Sequence, residues 1–357
     1  SSNLSILRLI REAGVQVDAV SLGEIGRALL AGFSPAGDPA GIVFTCDLFD
    51  QATLQRVVEL KVEVNAGSID MLRQLGERSP GHRVWIRINP GFGHGHSRKT
   101  NTGGENSKHG IWHEELDEAL ACIKTHGLHL VGVHMHIGSG VDYQHLEQVA
   151  RSMIELIGRL GVDIEAFSIG GGLSTPYRST DKPVDLQRYA QTWAVARKEI
   201  EAMLGHPVRM EIEPGRFLVA ESGYLVAEVR AVKQVGRNTF VMIDAGFNDL
   251  MRPAMYGAYH GMTLLDANGQ PVDRPRQPTV VAGPLCESGD VFTQDDQELT
   301  PQDLPQAQVG DLLVIHDAGA YGASMSSNYN SRPLLPEFLI EDGALRIQTL
   351  DRHGGGQ

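Results

Sequence analysis

The sequence predicts a (β/α)8 barrel that lacks its first strand, followed by an all-β domain of sandwich or barrel type. Three observations lead there. Short β-rich runs alternate with helix-like stretches over the first two-thirds of the chain, unusual polar residues recur where those runs end, and helical periodicity fades from about residue 226. Strand–helix alternation implies a parallel sheet, either doubly wound or closed. Chemistry spread over the C-terminal ends of many strands is the barrel arrangement, whereas a doubly wound sheet gathers it at one switch point.

The β-rich runs cover residues 17–21, 41–47, 62–68, 83–90, 130–139, 164–173 and 208–216. Helix-like segments lie between them at 22–31, 51–60, 68–75, 114–125, 145–160 and 186–204. The runs deliver Asp47, Asn65, Arg87, His136, the triplet Gly170-Gly171-Gly172, and Glu213 with Arg216 to one rim. Seven runs are one short of a barrel's eight, and helix-like sequence at 4–13 follows Ser1 with no strand before it. The barrel is therefore expected to be cut at its start and to occupy residues 1–225. Residues 226–357 form the β domain, where runs at 224–235, 239–244, 279–282 and 312–316 alternate with loops rich in Asp, Gln and Pro, notably 294–306. Residues 91–110 are a long Gly/His/Asn-rich insertion, a form that lids often take.

Composition narrows the function classes. The 357 residues carry 31 Lys and Arg against 44 Asp and Glu, a net charge of −13 with no basic run, which argues against nucleic acid or an anionic membrane as partner. Cys46, Cys122 and Cys286 lie far apart, so neither a disulfide framework nor a zinc knuckle is expected. No apolar stretch reaches the roughly 18 residues a membrane span needs, and no export signal is visible. A cytoplasmic protein with reduced thiols is the simplest expectation.

Five constellations could carry chemistry. Ser168-Ile169-Gly170-Gly171-Gly172 closes a strand, and glycines there let backbone N–H groups converge on an anion; a plain tight turn is the competing account. Glu213-Pro214-Gly215-Arg216 closes the next strand. Alone, Glu213 would be a structural ion-pair partner. Beside a phosphate loop, a carboxylate has a sharper use: set against a pyridine nitrogen it keeps that nitrogen protonated, which makes pyridoxal phosphate (PLP) an effective electron sink. In His134-Met135-His136 the spacing puts both rings on one face of a strand. Stacking of a ring on a planar cofactor is favoured over core packing, and metal ligation comes last, because the other strand ends offer Arg87, Asn89 and glycines rather than metal ligands. Cys286, followed by Glu287, Ser288, Gly289 and Asp290, has few donors to depress its thiol pKa. That suits a proton donor better than a nucleophile, with an ordinary small core cysteine as the default. Arg252, Tyr256, Tyr321 and Arg332 sit in Gly/Pro-rich turns of the kind that recognise carboxylates and phosphates, although each alone is more often surface decoration.

In order, the segments GVHMHIGSG, SIGGGLS, EIEPGR, DAGFNDLMRPAMY, GPLCESGD and GAYGASMSSNYNSRP resemble the fold-type III PLP decarboxylases. The branch they look like is the bacterial one that acts on meso-2,6-diaminopimelate and carries the HSRKTNTGGENSKHG insertion. The likeness runs from Ser1 to about Pro336. It implies an alanine-racemase-like barrel with a C-terminal β domain, and release of CO2 from meso-diaminopimelate to give L-lysine. It implies PLP held by His136, Ser139, Gly170, Gly171, Gly172, Glu213, Gly215, Arg216 and Tyr321, with His136 against the ring and Glu213 at the pyridine nitrogen. Arg216, Arg252, Tyr256 and Tyr321 would contact the substrate and Glu287 its distal ammonium. Cys286 would deliver the proton into the active site of the partner subunit of a homodimer. No metal is implied. One departure stands out: the family's Schiff-base lysine would fall two residues before Ser1 and is absent from the 357 residues, in keeping with the missing strand. Decarboxylation of another diamino acid such as ornithine or arginine, a non-catalytic PLP carrier on the same barrel, and a metal-dependent barrel hydrolase using His134 and His136 are the alternatives.

Overall fold

The computed structural model describes residues 2–93, 102–138, 143–296 and 298–348. The chain forms two compact units, one of Ser2–Ser174 with Val184–Pro214 and the other of Thr175–Pro183 with Gly215–Leu350. The first holds the parallel strands β1 (Val17–Ala19), β2 (Ile42–Cys46), β3 (Glu63–Ala66), β4 (Arg83–Asn89), β5 (Ile111–Trp112), β6 (His129–His134), β7 (Ala166–Ser168) and β8 (Arg209–Glu211). They hydrogen-bond in the order β1-β2-β3-β4-β6-β7-β8, with β5 adding to β4 alone. Helices α1 (Leu4–Glu12), α2 (Leu22–Leu30), α3 (Gln51–Leu60), α4 (Ile69–Arg78), α5 (Leu116–His126), α6 (Tyr143–Leu160) and α7 (Leu186–Leu204) make the connections. Seven staves of a barrel wall thus follow one another in chain order, as the alternating sequence pattern predicts.

Local chemistry sets the helix ends. Ser21 accepts the Glu24 N–H at 3.2 Å while the Glu24 carboxylate accepts the Val20 N–H at 2.7 Å, a reciprocal cap that starts α2. Asp50, Ser68 and Asp185 cap α3, α4 and α7 in the same sense. Gly127 and Gly205 end α5 and α7 in the left-handed conformation. Between the helices the strands are apolar and buried, with Ile42, Phe44, Val64, Val84, Ile86, Val133 and Phe167 forming the core.

Three strands are shorter than the runs that predict them: β6 stops at His134, β7 at Ser168 and β8 at Glu211. Past β7 the chain leaves the ladder at Gly170 and Gly172, and past β6 Gly138 likewise takes positive φ, which strand pairing does not permit.

The opposite rim of this wall carries a structural ion network. Arg83, opening β4, donates to Glu63 at 2.7 Å and to Glu165 at 2.9 Å, and His129 lies 2.6 Å from Glu165. The Arg83 hydrogen bonds outweigh partial burial and bring Glu165 to a pKa of about 2. A depressed carboxylate pKa contributes stability that is complete above about pH 4.5 and lost as the pH falls towards 2. With 35% of the Glu165 side chain exposed, solvent screening reduces its value. Glu165→Gln is expected to cost about 1 kcal/mol at neutral pH and to flatten the acid fall of Tm between about pH 4.5 and 2. Thermal unfolding at stepped pH checks this, and an unchanged acid slope would count against it.

The second unit is built from α8 (Gly215–Val219), β9 (Leu225–Val235), β10 (Asn238–Ile243), α9 (Arg252–Tyr256), β11 (Met262–Leu265), β12 (Arg276–Ala282), β13 (Gln302–Pro305), β14 (Leu312–Ile315), β15 (Glu337–Glu341) and β16 (Ala344–Gln348). Six strands pair in the order β11-β14-β9-β10-β12-β13, with β10 and β12 parallel and the rest antiparallel, and β15 with β16 forms a separate hairpin. Val229, Val241, Ile243, Val281, Leu313 and Ile315 are the centre of its core. The stretch at 294–306, expected as loop, contains β13. Its Asp303 and Pro305 conceal a strand that lies at the sheet edge, where proline is tolerated. Among the described residues no helix is long and apolar enough to cross a membrane.

Candidate active site

At the C-terminal ends of the parallel strands, two neighbouring turns lock together. The Ile169 N–H donates to Glu211 O at 3.1 Å and the Glu213 N–H to Gly170 O at 2.9 Å, so the glycine triplet and the chain after β8 hold each other. A Cβ on Gly171 would come within 2.7 Å of the Glu213 carbonyl oxygen, and one on Gly170 within 2.5 Å of the His136 Cβ. Only glycine fits this close approach. The turn is tight, and the Gly170 and Gly171 N–H groups are used inside it, donating to Ser168 Oγ at 3.3 Å and to His136 Nδ1 at 3.2 Å.

Two histidines flank the turn. The Gly171 N–H donates to His136 Nδ1 at 3.2 Å, so Nδ1 is the unprotonated nitrogen of that ring. Burial and the nearby Arg87 charge push His136 down to a pKa of about 4, against the pull of Glu213, and keep the imidazole neutral. Its carbonyl oxygen accepts from Thr102 Oγ1 at 2.9 Å, which ties the end of the insertion to this rim. His134 is buried, with Nε2 2.9 Å from Glu213 Oε1 in a geometry too bent for a well-formed hydrogen bond. Burial would raise the Glu213 pKa, yet His134, His136 and Arg87 outweigh it and hold the carboxyl at about 2. Glu213 is therefore ionised at neutral pH with 28% of its side chain accessible.

The insertion is moored at both ends. Asn89 accepts the Gly91 and Gly104 N–H groups at 3.1 and 2.9 Å, and Asp47 accepts from Gly110 N at 2.9 Å and lies 2.8 Å from His109 Nδ1. Residues 94–101 and Ser139 lie outside the described residues, so nothing is added on the expected lid or on Ser139.

A second group of functional candidates gathers in the β unit. Gly319 packs so closely on α8 that a Cβ would meet the Val219 carbonyl at 1.8 Å, and the Gly319 N–H donates to Ala220 O at 3.1 Å. This contact brings Tyr321 to α8, where the Arg216 Cζ lies 4.9 Å from its ring centroid. Arg216 donates to the Tyr177 hydroxyl at 3.1 Å. Arg252, at the start of α9, is 6% exposed, lies 4.4 Å from the Tyr177 ring centroid, and contacts His260 Nε2 at 2.8 Å. Burial, then the Arg216 charge, lower its pKa against the pull of Tyr177. Among the described residues neither guanidinium is paired with a carboxylate. Tyr256 ends the same short helix.

Cys286 and Glu287 stand apart from that group, exposed on a loop. Asp290 fixes the loop by accepting from Leu285 N at 2.8 Å and Phe247 N at 2.7 Å, and Asn330 accepts the Cys286 N–H at 3.0 Å. Tyr177 and His260 escaped notice in the sequence. Both lie in irregular stretches with no periodic signal, and the arginines they touch distinguish them.

The parallel rim offers a close-packed glycine turn, a neutral imidazole and a carboxylate ionised at neutral pH. That set suits a flat aromatic with an anionic tail and a basic ring nitrogen: the carboxylate would stabilise a ring N–H⁺, and the neutral histidine would not oppose it. The comparisons agree with this fit. Residues 1–220 match the family described as pyridoxal-dependent decarboxylase, pyridoxal binding domain. The diaminopimelate decarboxylase of Escherichia coli strain K12 is 62% identical over 348 residues, 97% of this chain and 83% of that protein. A crystal structure of a diaminopimelate decarboxylase matches with a TM-score of 0.94 at 61% identity, over 98% of this chain and 85% of the other. The Helicobacter pylori diaminopimelate decarboxylase, solved in complex with L-lysine, matches with a TM-score of 0.83 at 34% identity over 97% and 84% of the two chains.

Proposed function

Because this chain belongs to the diaminopimelate decarboxylases, within the fold-type III PLP-dependent decarboxylase family, we propose that its two groups of side chains divide one reaction between cofactor and substrate. The reaction is the decarboxylation of meso-2,6-diaminopimelate to L-lysine and CO2. The observation that supports this division best is the pair of guanidiniums, Arg216 and Arg252, neither in an ion pair with a carboxylate among the described residues.

Bound PLP supplies the sink for the electron pair left when the Cα–carboxylate bond breaks. The Gly170–Gly172 backbone, Ser139, Gly215, Arg216 and Tyr321 would hold its phosphate end, His136 would lie against its ring, and Glu213 would keep a proton on the pyridine nitrogen. Arg252 and Tyr256, with Arg216, grip the distal carboxylate of the substrate, and Glu287 takes the distal ammonium. Holding the far end fixes which carboxylate lies at the reacting centre. Once CO2 has left, the Cys286 thiol delivers a proton to the carbon that carried it, so one C–C bond breaks and one C–H bond forms. Cys286 and Glu287 form no hydrogen bond or ion pair with Arg216 or Arg252 among the described residues of one chain. Their exposed loop serves the site of a second subunit in a homodimer.

Substrate choice follows from the arginines. Ornithine and arginine have no distal carboxylate, and their cationic ends meet a buried positive charge. The full-length holoenzyme is expected to turn over meso-diaminopimelate at least about a thousandfold better in kcat/KM than ornithine or arginine, because lost pairing and charge repulsion combine. A preference for either plain basic amino acid, measured by CO2 release, would remove the assignment of Arg252.

A further inference from the structure

Arg252 raises a question that its own contacts answer. A buried arginine is usually held by a carboxylate, which also cancels its charge. Here the neighbour at 2.8 Å is instead His260 Nε2, on a ring that is completely buried. The other ring nitrogen, His260 Nδ1, lies 2.8 Å from the His316 carbonyl oxygen. A carbonyl oxygen can only accept and a guanidinium can only donate. The two partners therefore fix the tautomer from both sides: Nδ1 carries the proton, and Nε2 offers a lone pair to Arg252.

Further contacts brace the residue. The His316 N–H donates to Gly261 O at 2.9 Å, which ties the acceptor to the end of β14, and Gln302 on β13 donates to His260 O at 2.8 Å. Tyr177 meets the ring edge-on, with centroids 5.5 Å apart and planes at 72°. The same Tyr177 ring lies beneath the Arg252 guanidinium and its hydroxyl accepts from Arg216. Burial and the two arginine charges press the His260 pKa down to about 4, against the pull of the His316 carbonyl, so the acceptor persists at neutral pH.

We propose that His260 is the positioning residue for Arg252: a neutral acceptor that orients the guanidinium without cancelling the charge the substrate's distal carboxylate needs. A carboxylate in its place would hold the arginine equally well and compete with the substrate for it. The proposal rests on the assignment of Arg252 to the distal carboxylate.

The test uses the full-length holoenzyme and four variants, with KM and kcat for meso-diaminopimelate, PLP content by absorbance, and Tm for each. His260→Phe keeps a ring but removes the acceptor, and KM is expected to rise about tenfold or more while kcat stays within about threefold. His260→Gln restores an acceptor and is expected to bring KM back to within about threefold of the parent. His260→Glu should raise KM beyond His260→Gln by occupying the guanidinium. If the Phe variant binds PLP, melts normally and shows an unchanged KM, the proposal is overturned; equal KM values for Phe and Gln would also overturn it. Should the Phe variant fail to fold, a Glu variant no worse in KM than Gln overturns it. Arg252→Met separates the layers. An increased KM there with no effect of His260→Phe defeats the positioning role alone, whereas an unchanged KM in Arg252→Met defeats the Arg252 assignment and this proposal together.

Discussion

Glu213→Gln is expected to lower kcat for meso-diaminopimelate by about a hundredfold to a thousandfold, with a smaller change in KM. Glutamine keeps the shape and removes the charge. In the parent, His134, His136 and Arg87 outweigh burial and hold the carboxyl at a pKa of about 2, so it is charged at neutral pH. An amide cannot stabilise a protonated ring nitrogen, and an unprotonated ring draws electrons from the breaking bond far less strongly. The loss therefore falls on the transition state, not on substrate binding. PLP content should persist, because glutamine keeps the backbone hydrogen bond from residue 213 N to Gly170 O that joins the two turns. A variant with kcat within tenfold of the parent would show that Glu213 is only the structural partner of His134.

Cys286→Ala carries the other large effect. Removing the thiol should lower kcat by about a hundredfold or more, in the range of a general acid, and leave KM and Tm nearly unchanged. Stability is expected to hold because Cys286 is exposed and its loop is fixed by Asp290 and Asn330 through backbone groups. The same variant tests the shared site. Mixed with Glu213→Gln subunits and allowed to exchange, half of the dimers become hybrids, each with one site that has both side chains intact. Recovery to about a quarter of the parent activity is expected from that pairing. Two inactive variants that stay inactive when mixed would place Cys286 in its own subunit's site.

Much of this was legible in the residues. Parallel strands buried on both faces and capped helices leave strong patterns, so β1 to β4 and α2 to α7 stand close to where alternation puts them. Strand ends were overrun at 130–139 and 164–173 because periodicity cannot register where a chain leaves its ladder. In 164–173 that departure is made by Gly170 and Gly172, which take positive φ. β13 was hidden because an edge strand tolerates the Asp303 and Pro305 that usually signal a loop. The arginines announced themselves in their Gly/Pro-rich turns, but what holds them did not. Tyr177 belongs by contact to the β unit although long chain separates it from Arg252, and His260 gains its meaning from a carbonyl 56 residues further on. Such pairings exist only once the backbone has brought the partners together.

The most direct measurement is to strip the full-length protein of PLP, restore it stepwise, and follow CO2 and L-lysine from meso-diaminopimelate. The account predicts no turnover at the start and equal amounts of both products rising in proportion to bound PLP, to saturation at one PLP per chain. Turnover that is independent of PLP, or a fully loaded protein that leaves meso-diaminopimelate unchanged, would contradict it.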